Sequence, residues 1–265
     1  MSDYGVELIN DYGLKVADAE DVNYVLRSSG TFNDSNFYSY ANSTSAISLM
    51  TTGMNSPLLF LKMNESRSRI SQKPGVNKIS PDFVNPNTTI TKTSIDLFKW
   101  WNIPLGTVEY YIFDKWIPPE RSDYGMQIFN ESGSIIFDSG WYFLKLRDVL
   151  WLDPSYPNHS DQEGGSNWTN VGNIVNSANV SNSALSMPVG RGWVETSLQG
   201  GYYYNECCHL DSSGNLFISI IPTGIYLDVS PTGGWVGNMR TQVMVCDTSR
   251  LPLNYNPVEI RKENK

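Results

Sequence analysis

Apolar and polar residues alternate with a period of two along several short stretches, and turn-forming residues punctuate them. Tyr4, Val6 and Leu8 alternate in this way, as do Tyr124, Met126 and Ile128. That period places the three side chains of each set on one face of a β-strand. Each set runs at once into four residues with Asn first and Gly fourth, Asn10 to Gly13 and Asn130 to Gly133. The pattern predicts a type I turn closed by a glycine in the left-handed region, hence a β-hairpin. Apolar-rich stretches at 56–63, 141–151, 216–221 and 225–229 read as further strands. The stretch 94–101 fits either a short helix capped by Ser94 or a strand, because Trp101, Ile103 and Leu105 alternate.

The two hairpins belong to an internal repeat. Residues 3–18 (DYGVELINDYGLKVAD) align without gaps on residues 123–138 (DYGMQIFNESGSIIFD), with six of the sixteen positions identical. The pairs Val6/Met126, Leu8/Ile128, Ile9/Phe129 and Val16/Ile136 also stay apolar. Two later stretches, 107–114 and 241–247, each form an apolar-rich strand closed by Asp, at Asp114 and Asp247. Between the copies lie Pro118, Pro119, Glu120 and Arg121, and consecutive prolines cannot pair inside a sheet. The expected organisation is therefore all-β: a β-sandwich-like unit over 1–117, a linker over 118–121, and a second such unit over 122–250. An extended C-terminal arm over 251–265 follows.

Composition agrees with many short strands. Among 265 residues there are 21 Gly and 14 Pro, and only 17% are charged. The net charge of −8 offers no basic footprint for a phosphate backbone, so nucleic acid is not an expected partner. No stretch approaches the roughly 18 apolar residues that a membrane helix needs, and the first residues lack a signal-peptide pattern. A soluble protein made in the cytoplasm, with no membrane insertion, is the expectation.

The phrase Tyr-Gly-apolar-X-apolar-X-Asn-X-X-Gly is carried by Tyr4, Gly5, Asn10 and Gly13. It recurs at Tyr124, Gly125, Asn130 and Gly133, there followed by Asp138, Ser139 and Gly140. It resembles the opening of minor tail proteins of tailed bacteriophages and prophages. The first copy departs from the pattern after Val16. The resemblance implies a structural virion component at the tail tip or a fibre attachment, acting through other tail proteins, without catalytic residues or cofactor. Rotational symmetry of a tail implies a homo-oligomer around its axis. The alternatives are a receptor-binding module for a host-surface glycan or protein and, behind it, a glycan-cleaving enzyme.

Candidate chemistry is sparse. A Ser-His-Asp arrangement needs a histidine base, and only His159 and His209 exist; neither stands in a recognisable nucleophile setting. Cys207, His209 and Cys246 have metal-ligand side chains that two strands could bring together, but no Cys-X-X-Cys pair is present. Asp148 with Asp153, and Asp161 with Glu163, are neighbouring carboxylates of the kind glycosidases use, undistinguished among 27 acidic residues. The eight tryptophans carry more information. Trp100, Trp101 and Trp116 gather near the end of the first unit as candidate partner contacts, and Trp193 and Trp235 lie beside glycines in the second. Such side chains bury large area at small entropy cost.

Overall fold

The computed structural model describes residues 7–9, 11, 13, 15–18, 23–41, 44–63, 70–72, 94–100, 105–130, 132–154, 156, 168–197, 200–227, 233–236 and 239–257. They form an all-β protein. The first half contains β1 (Glu7–Ile9), β2 (Lys15–Asp18), β3 (Tyr24–Phe32), β4 (Tyr38–Ala41), β5 (Thr44–Met50), β6 (Leu58–Met63), β7 (Ile70–Gln72), β8 (Ser94–Trp100) and β9 (Val108–Lys115). The second half contains β10 (Gln127–Phe129), β11 (Ile135–Asp138), β12 (Leu146–Leu152), β13 (Thr169–Asn173), β14 (Ser183–Val189), β15 (Gly192–Ser197), β16 (Gly200–Leu210), β17 (Asn215–Leu227), β18 (Gly234–Trp235) and β19 (Thr241–Asp247). Two short 3-10 helices, Asp34–Asn36 and Ser177–Asn182, are the helical segments among the described residues. No helix there is long and apolar enough to cross a membrane.

Six strands build the centre, in the order β12-β19-β14-β6-β9-β3. Three come from each half of the chain, and the halves meet where Leu61 of β6 faces Leu185 of β14. The far edges meet as well. Val25 of β3 bridges Phe143, with Leu26 N–H donating to the Tyr142 carbonyl at 2.8 Å and Leu144 N–H to the Tyr24 carbonyl at 3.0 Å. Because residues 142–144 lead directly into β12, this contact closes the sheet into a barrel. Leu26, Phe60, Tyr111, Phe113, Leu144, Ala184 and Cys246 fill it, and Leu146 of β12 packs against them.

Period-two alternation sends the intervening side chains outward, under a covering sheet on each half. On the first half, Leu59, Leu61, Val108 and Ile112 pack against Leu49 and Leu97 of the sheet β4-β5-β8-β7. On the second, Leu185, Met187, Val243 and Val245 pack against Cys208, Leu216 and Ile218 of the sheet β13-β17-β16-β15-β18. Each half is thus a two-layer sandwich. The covering sheets also touch each other, through Ala46 and Phe98 against Cys207 and Ile221. The 118–121 segment consequently joins two halves of one hydrogen-bonded ring rather than two separately sheeted bodies.

The halves follow the same order of connections. The ring takes β3-β9-β6 from the first and β12-β19-β14 from the second, while the covering sheets contain β5-β8-β7 and β13-β17-β16. Local irregularities match too. In β1-β2 the partners are Glu7↔Asp18, Leu8↔Ala17 and Ile9↔Lys15; in β10-β11 they are Gln127↔Asp138, Ile128↔Phe137 and Phe129↔Ile135, each position 120 residues later and with the bulge at the same step. A second bulge, between Leu26 and Ser28 in β3, recurs between Leu146 and Asp148 in β12.

The segment after Arg250 bends at Leu253 and Asn254, where Asn254 has a φ of 58°, and it docks on its own chain. Ser29 N–H donates to the Tyr255 carbonyl at 2.9 Å, and Ser29 Oγ donates to the Pro252 carbonyl at 2.7 Å. Leu251 and Tyr255 pack against the barrel core. Residues 258–265 lie outside the described residues. The segment therefore occupies the edge of β3 beyond Phe143.

Candidate functional site

The repeated motif is the first place to look. Its turn is as the sequence predicts: Gly133 N–H donates to the Asn130 carbonyl at 2.9 Å, and Gly13 and Gly133 have φ of 76° and 77°. Asp138 ties the hairpin to the preceding segment. It accepts from Ser122 N–H at 3.0 Å, Gln127 Nε2 at 2.8 Å, Gly140 N–H at 2.8 Å and the Ser122 hydroxyl. Burial alone would push its carboxyl up, but these donors outweigh that and hold it below the usual carboxylate range. The inner side of β11 packs Ile135 and Phe137 against Trp141, Phe143 and Val25, with Ile128 beside them.

One expectation about this hairpin is corrected. Tyr124, Met126 and Ile128 do not share a buried face, because β10 begins only at Gln127 and the backbone turns at Gly125, whose φ is 119°. Tyr124 is 90% exposed, Met126 46% and Phe129 51%. Ile9, the counterpart of Phe129, is 60% exposed on the other hairpin. Tyr4, Gly5 and Asn10 lie outside the described residues.

Of the candidate contact tryptophans, Trp116 is the one whose side chain is described. Trp116 is half-buried: its Nε1 donates to the Val25 carbonyl at 3.3 Å and the Arg27 guanidinium lies 4.1 Å from the ring centre. Trp100 ends β8 opposite Thr44, in a different sheet from β9, after which Trp116 stands. Trp101 lies outside the described residues.

A second centre, at the far end of the second half, was only partly legible. Arg191 and Glu206 form an ion pair with side chains 1% and 0% exposed. Arg191 donates through Nη2 to Glu206 at 2.7 Å and through Nε at 3.1 Å. Its remaining N–H groups reach the carbonyls of Asp153 at 2.6 Å, Pro154 at 3.0 Å and Tyr156 at 2.5 Å. The Trp235 ring lies 3.9 Å from this guanidinium and packs edge-on against Trp193 at 5.1 Å. Arginine is suited to this place because its planar fork offers five donors. In sequence, Arg191 stands between Gly190 and Gly192, with no motif around it. Its real signal is a lone charge in an apolar, glycine-flanked stretch.

Beside this clamp lies an exposed aromatic. Trp151 is 45% exposed while its neighbours Leu150 and Leu152 pack inward. The Arg240 guanidinium lies 5.8 Å from the Trp151 ring centre and 3.4 Å from the Asp153 carboxylate. A separate cleft of about 500 Å³ opens beside the Leu61–Leu185 seam, lined by Lys62, Ser177, Ser181, Ser183 and Asp211 among others. Within it Lys62 is already paired with Glu109 at 3.0 Å, and Asp211 caps its own turn through Ser213 and Asn215.

The candidate metal ligands do not converge. Cys207 sits between the covering sheets, Cys208 faces the second sandwich core and Cys246 faces the barrel interior. The idea that two strands bring Cys207, His209 and Cys246 together is corrected, since β16 and β19 belong to different sheets. His209 is buried between Trp168, edge-on at 4.2 Å, and Phe217, stacked at 5.1 Å. Burial pushes the Cys208 thiol up to about 12, with Glu206 adding to it. Asp148 accepts from its neighbour Val149 N–H at 2.8 Å, and Asp153 faces Arg240. His159, Asp161 and Glu163 lie outside the described residues. No group of three metal-ligating side chains occurs among the described residues.

No family model, curated protein or solved structure matches this chain.

Proposed function

We propose that this protein is a non-catalytic building block of a tailed-phage particle. It stands at the tail tip or fibre attachment and acts through contacts with neighbouring tail subunits, in several copies around the tail axis. The resemblance of the twice-used motif supports this reading, and so does the matching order of strands, which we interpret as duplication of one ancestral unit. The observation that carries most weight is the solvent exposure of the motif's own apolar residues. Tyr124, Met126 and Phe129 leave large apolar side chains in water on a hairpin anchored from its other side by Ile135 and Phe137. Apolar side chains left this exposed suit burial against another subunit, where Tyr, Phe and Met are enriched. Mass spectrometry of purified particles tests the reading: the protein is expected at a fixed copy number per tail. The double variant Y124S/F129S should fold normally yet fail to enter particles.

A second reading, recognition of a host-surface glycan, is favoured by one observation. An exposed indole, a carboxylate and a guanidinium stand together at Trp151, Asp153 and Arg240.

A further inference from the structure

We propose that Trp151, Asp153, Tyr156 and Arg240 form a saccharide-binding surface. The proposal rests on the second reading above and gives it a site. It starts from the alternation in β12: Leu150 and Leu152 enter the sandwich core, so Trp151 is turned the other way and keeps 45% of its surface in water. The Arg240 guanidinium lies over this indole at 5.8 Å from its centre, and the ring surface that stays exposed is flat and electron-rich, suited to the C–H groups of a pyranose ring. Tyr156, 44% exposed, stands five residues on.

Polar groups stand where a ring's hydroxyls need them. Asp153 and Arg240 are 78% and 54% exposed and 3.4 Å apart. An ion pair so open to water is worth about 0–1 kcal/mol, so stability does not account for it. Each group retains free hydrogen-bonding capacity: a carboxylate can accept from two vicinal hydroxyls, and a guanidinium can donate to two oxygens in one plane. Asp153 is what argues against a protein partner, because interface cores are depleted of Asp, whereas Trp, Tyr and Arg suit either occupant. Here the charges stand against the aromatic itself.

The backbone beneath this surface is fixed by the buried clamp. Arg191 binds the carbonyls of Asp153, Pro154 and Tyr156, and Tyr156 N–H donates to the Asp153 carbonyl at 3.0 Å. Burying the Arg191–Glu206 pair costs desolvation free energy that a hydrophobic pair would avoid. What the pair achieves is to hold the carbonyls of Asp153, Pro154 and Tyr156 in place before any ligand arrives, which removes an entropic cost from binding. Arg191 is a positioning residue; the four exposed side chains make the contacts.

The test is a glycan array of bacterial surface polysaccharides and common oligosaccharides, probed with the full chain, W151A, R240A and D153N. Titration of the best hit by tryptophan fluorescence follows. Wild type should bind at least one saccharide, W151A should lose at least tenfold in affinity, and R240A and D153N should each lose severalfold. All should retain the wild-type circular dichroism. R240A alters only an exposed side chain, so it keeps the test valid if W151A folds poorly. Binding that W151A and R240A leave unchanged overturns this site while glycan recognition stands. An array on which wild type retains no saccharide overturns both, as does a protein partner held through Trp151 in the absence of any bound sugar.

Discussion

Arg147 reaches the Asp247 carboxylate at 2.8 Å from within the bulge that opens β12, its side chain only 7% exposed. Arg27, 120 residues earlier, occupies the equivalent bulge in β3, 9% exposed. Burial lowers its pKa below the usual guanidinium value, and Asp114, the aspartate that closes the partner strand, works against that shift. Both halves thus place an arginine in the first ring strand and an aspartate at the end of the last. Removing one member of such a pair strands the other. Arg147→Met should therefore cost about 3 kcal/mol and Asp247→Asn a similar amount, and the double variant should lose less than their sum. Urea denaturation of the two singles and the double checks this; additive losses would show that the pair is not coupled.

Gly13 and Gly133 have positive φ and no atom within 4 Å of where a Cβ would stand. The cost of substitution is therefore backbone strain without a clash. Gly133→Val should lose about 1–2 kcal/mol, with Gly133→Asn losing less because Asn tolerates the left-handed region. Thermal unfolding of both variants compares them, and equal losses would point to a steric cause instead.

Asp34, Asp138 and Asp247 are each pushed up by burial but held below the usual carboxylate range by stronger hydrogen bonds, from Lys99, Ser122 and Ser249 foremost. Asp211 is lowered chiefly by Asn215. A carboxylate with a lower pKa folded than unfolded stabilises fully above its unfolded value, 3.8, and loses that contribution as pH falls through its folded value. All four act in one direction. Stability should stay level above about pH 5 and fall progressively below about pH 4. Asp138→Asn should be less stable at pH 7 and show a shallower acid limb, as denaturation midpoints from pH 2 to 7 would reveal.

Ending the chain at Arg250 removes Leu251 and Tyr255 from the barrel core and leaves Ser29 N–H without its acceptor. The truncated protein should lose about 2 kcal/mol, less than full burial of two apolar side chains would contribute, because Leu251 and Tyr255 are partly buried. Fluorescence and circular dichroism should still report one shared transition, since the ring spans both halves. Two separate transitions would mean that the halves are independent.

The local features were legible because local chemistry makes them. Asn130 and Gly133 announce their turn, and the 120-residue spacing matches the two hairpins to the residue. Of the stretch 94–101, ambiguous in sequence, Ser94–Trp100 is the strand β8, where pairing along β5 overrides any cap at Ser94. The stretches 216–221 and 225–227 belong to one strand, β17, which continues through Pro222 opposite Tyr204 beside an irregularity in the register. What escaped were relationships with no local signature. Nothing near Leu61 points to Leu185, and nothing near Val25 points to Phe143, so two halves of one barrel read as two bodies joined by prolines. The exposure of Tyr124 escaped for a related reason. Alternation shows which residues share a face but not where the strand begins, and Gly125 delays it to Gln127.

Electron cryo-microscopy of intact particles tests the central claim most directly. The barrel and its two covering sheets should fit density at the tail tip or fibre attachment in several symmetry-related copies, with Tyr124 and Phe129 buried against an adjacent subunit. Particles lacking the protein, or holding it with that hairpin face in solvent, would contradict the account.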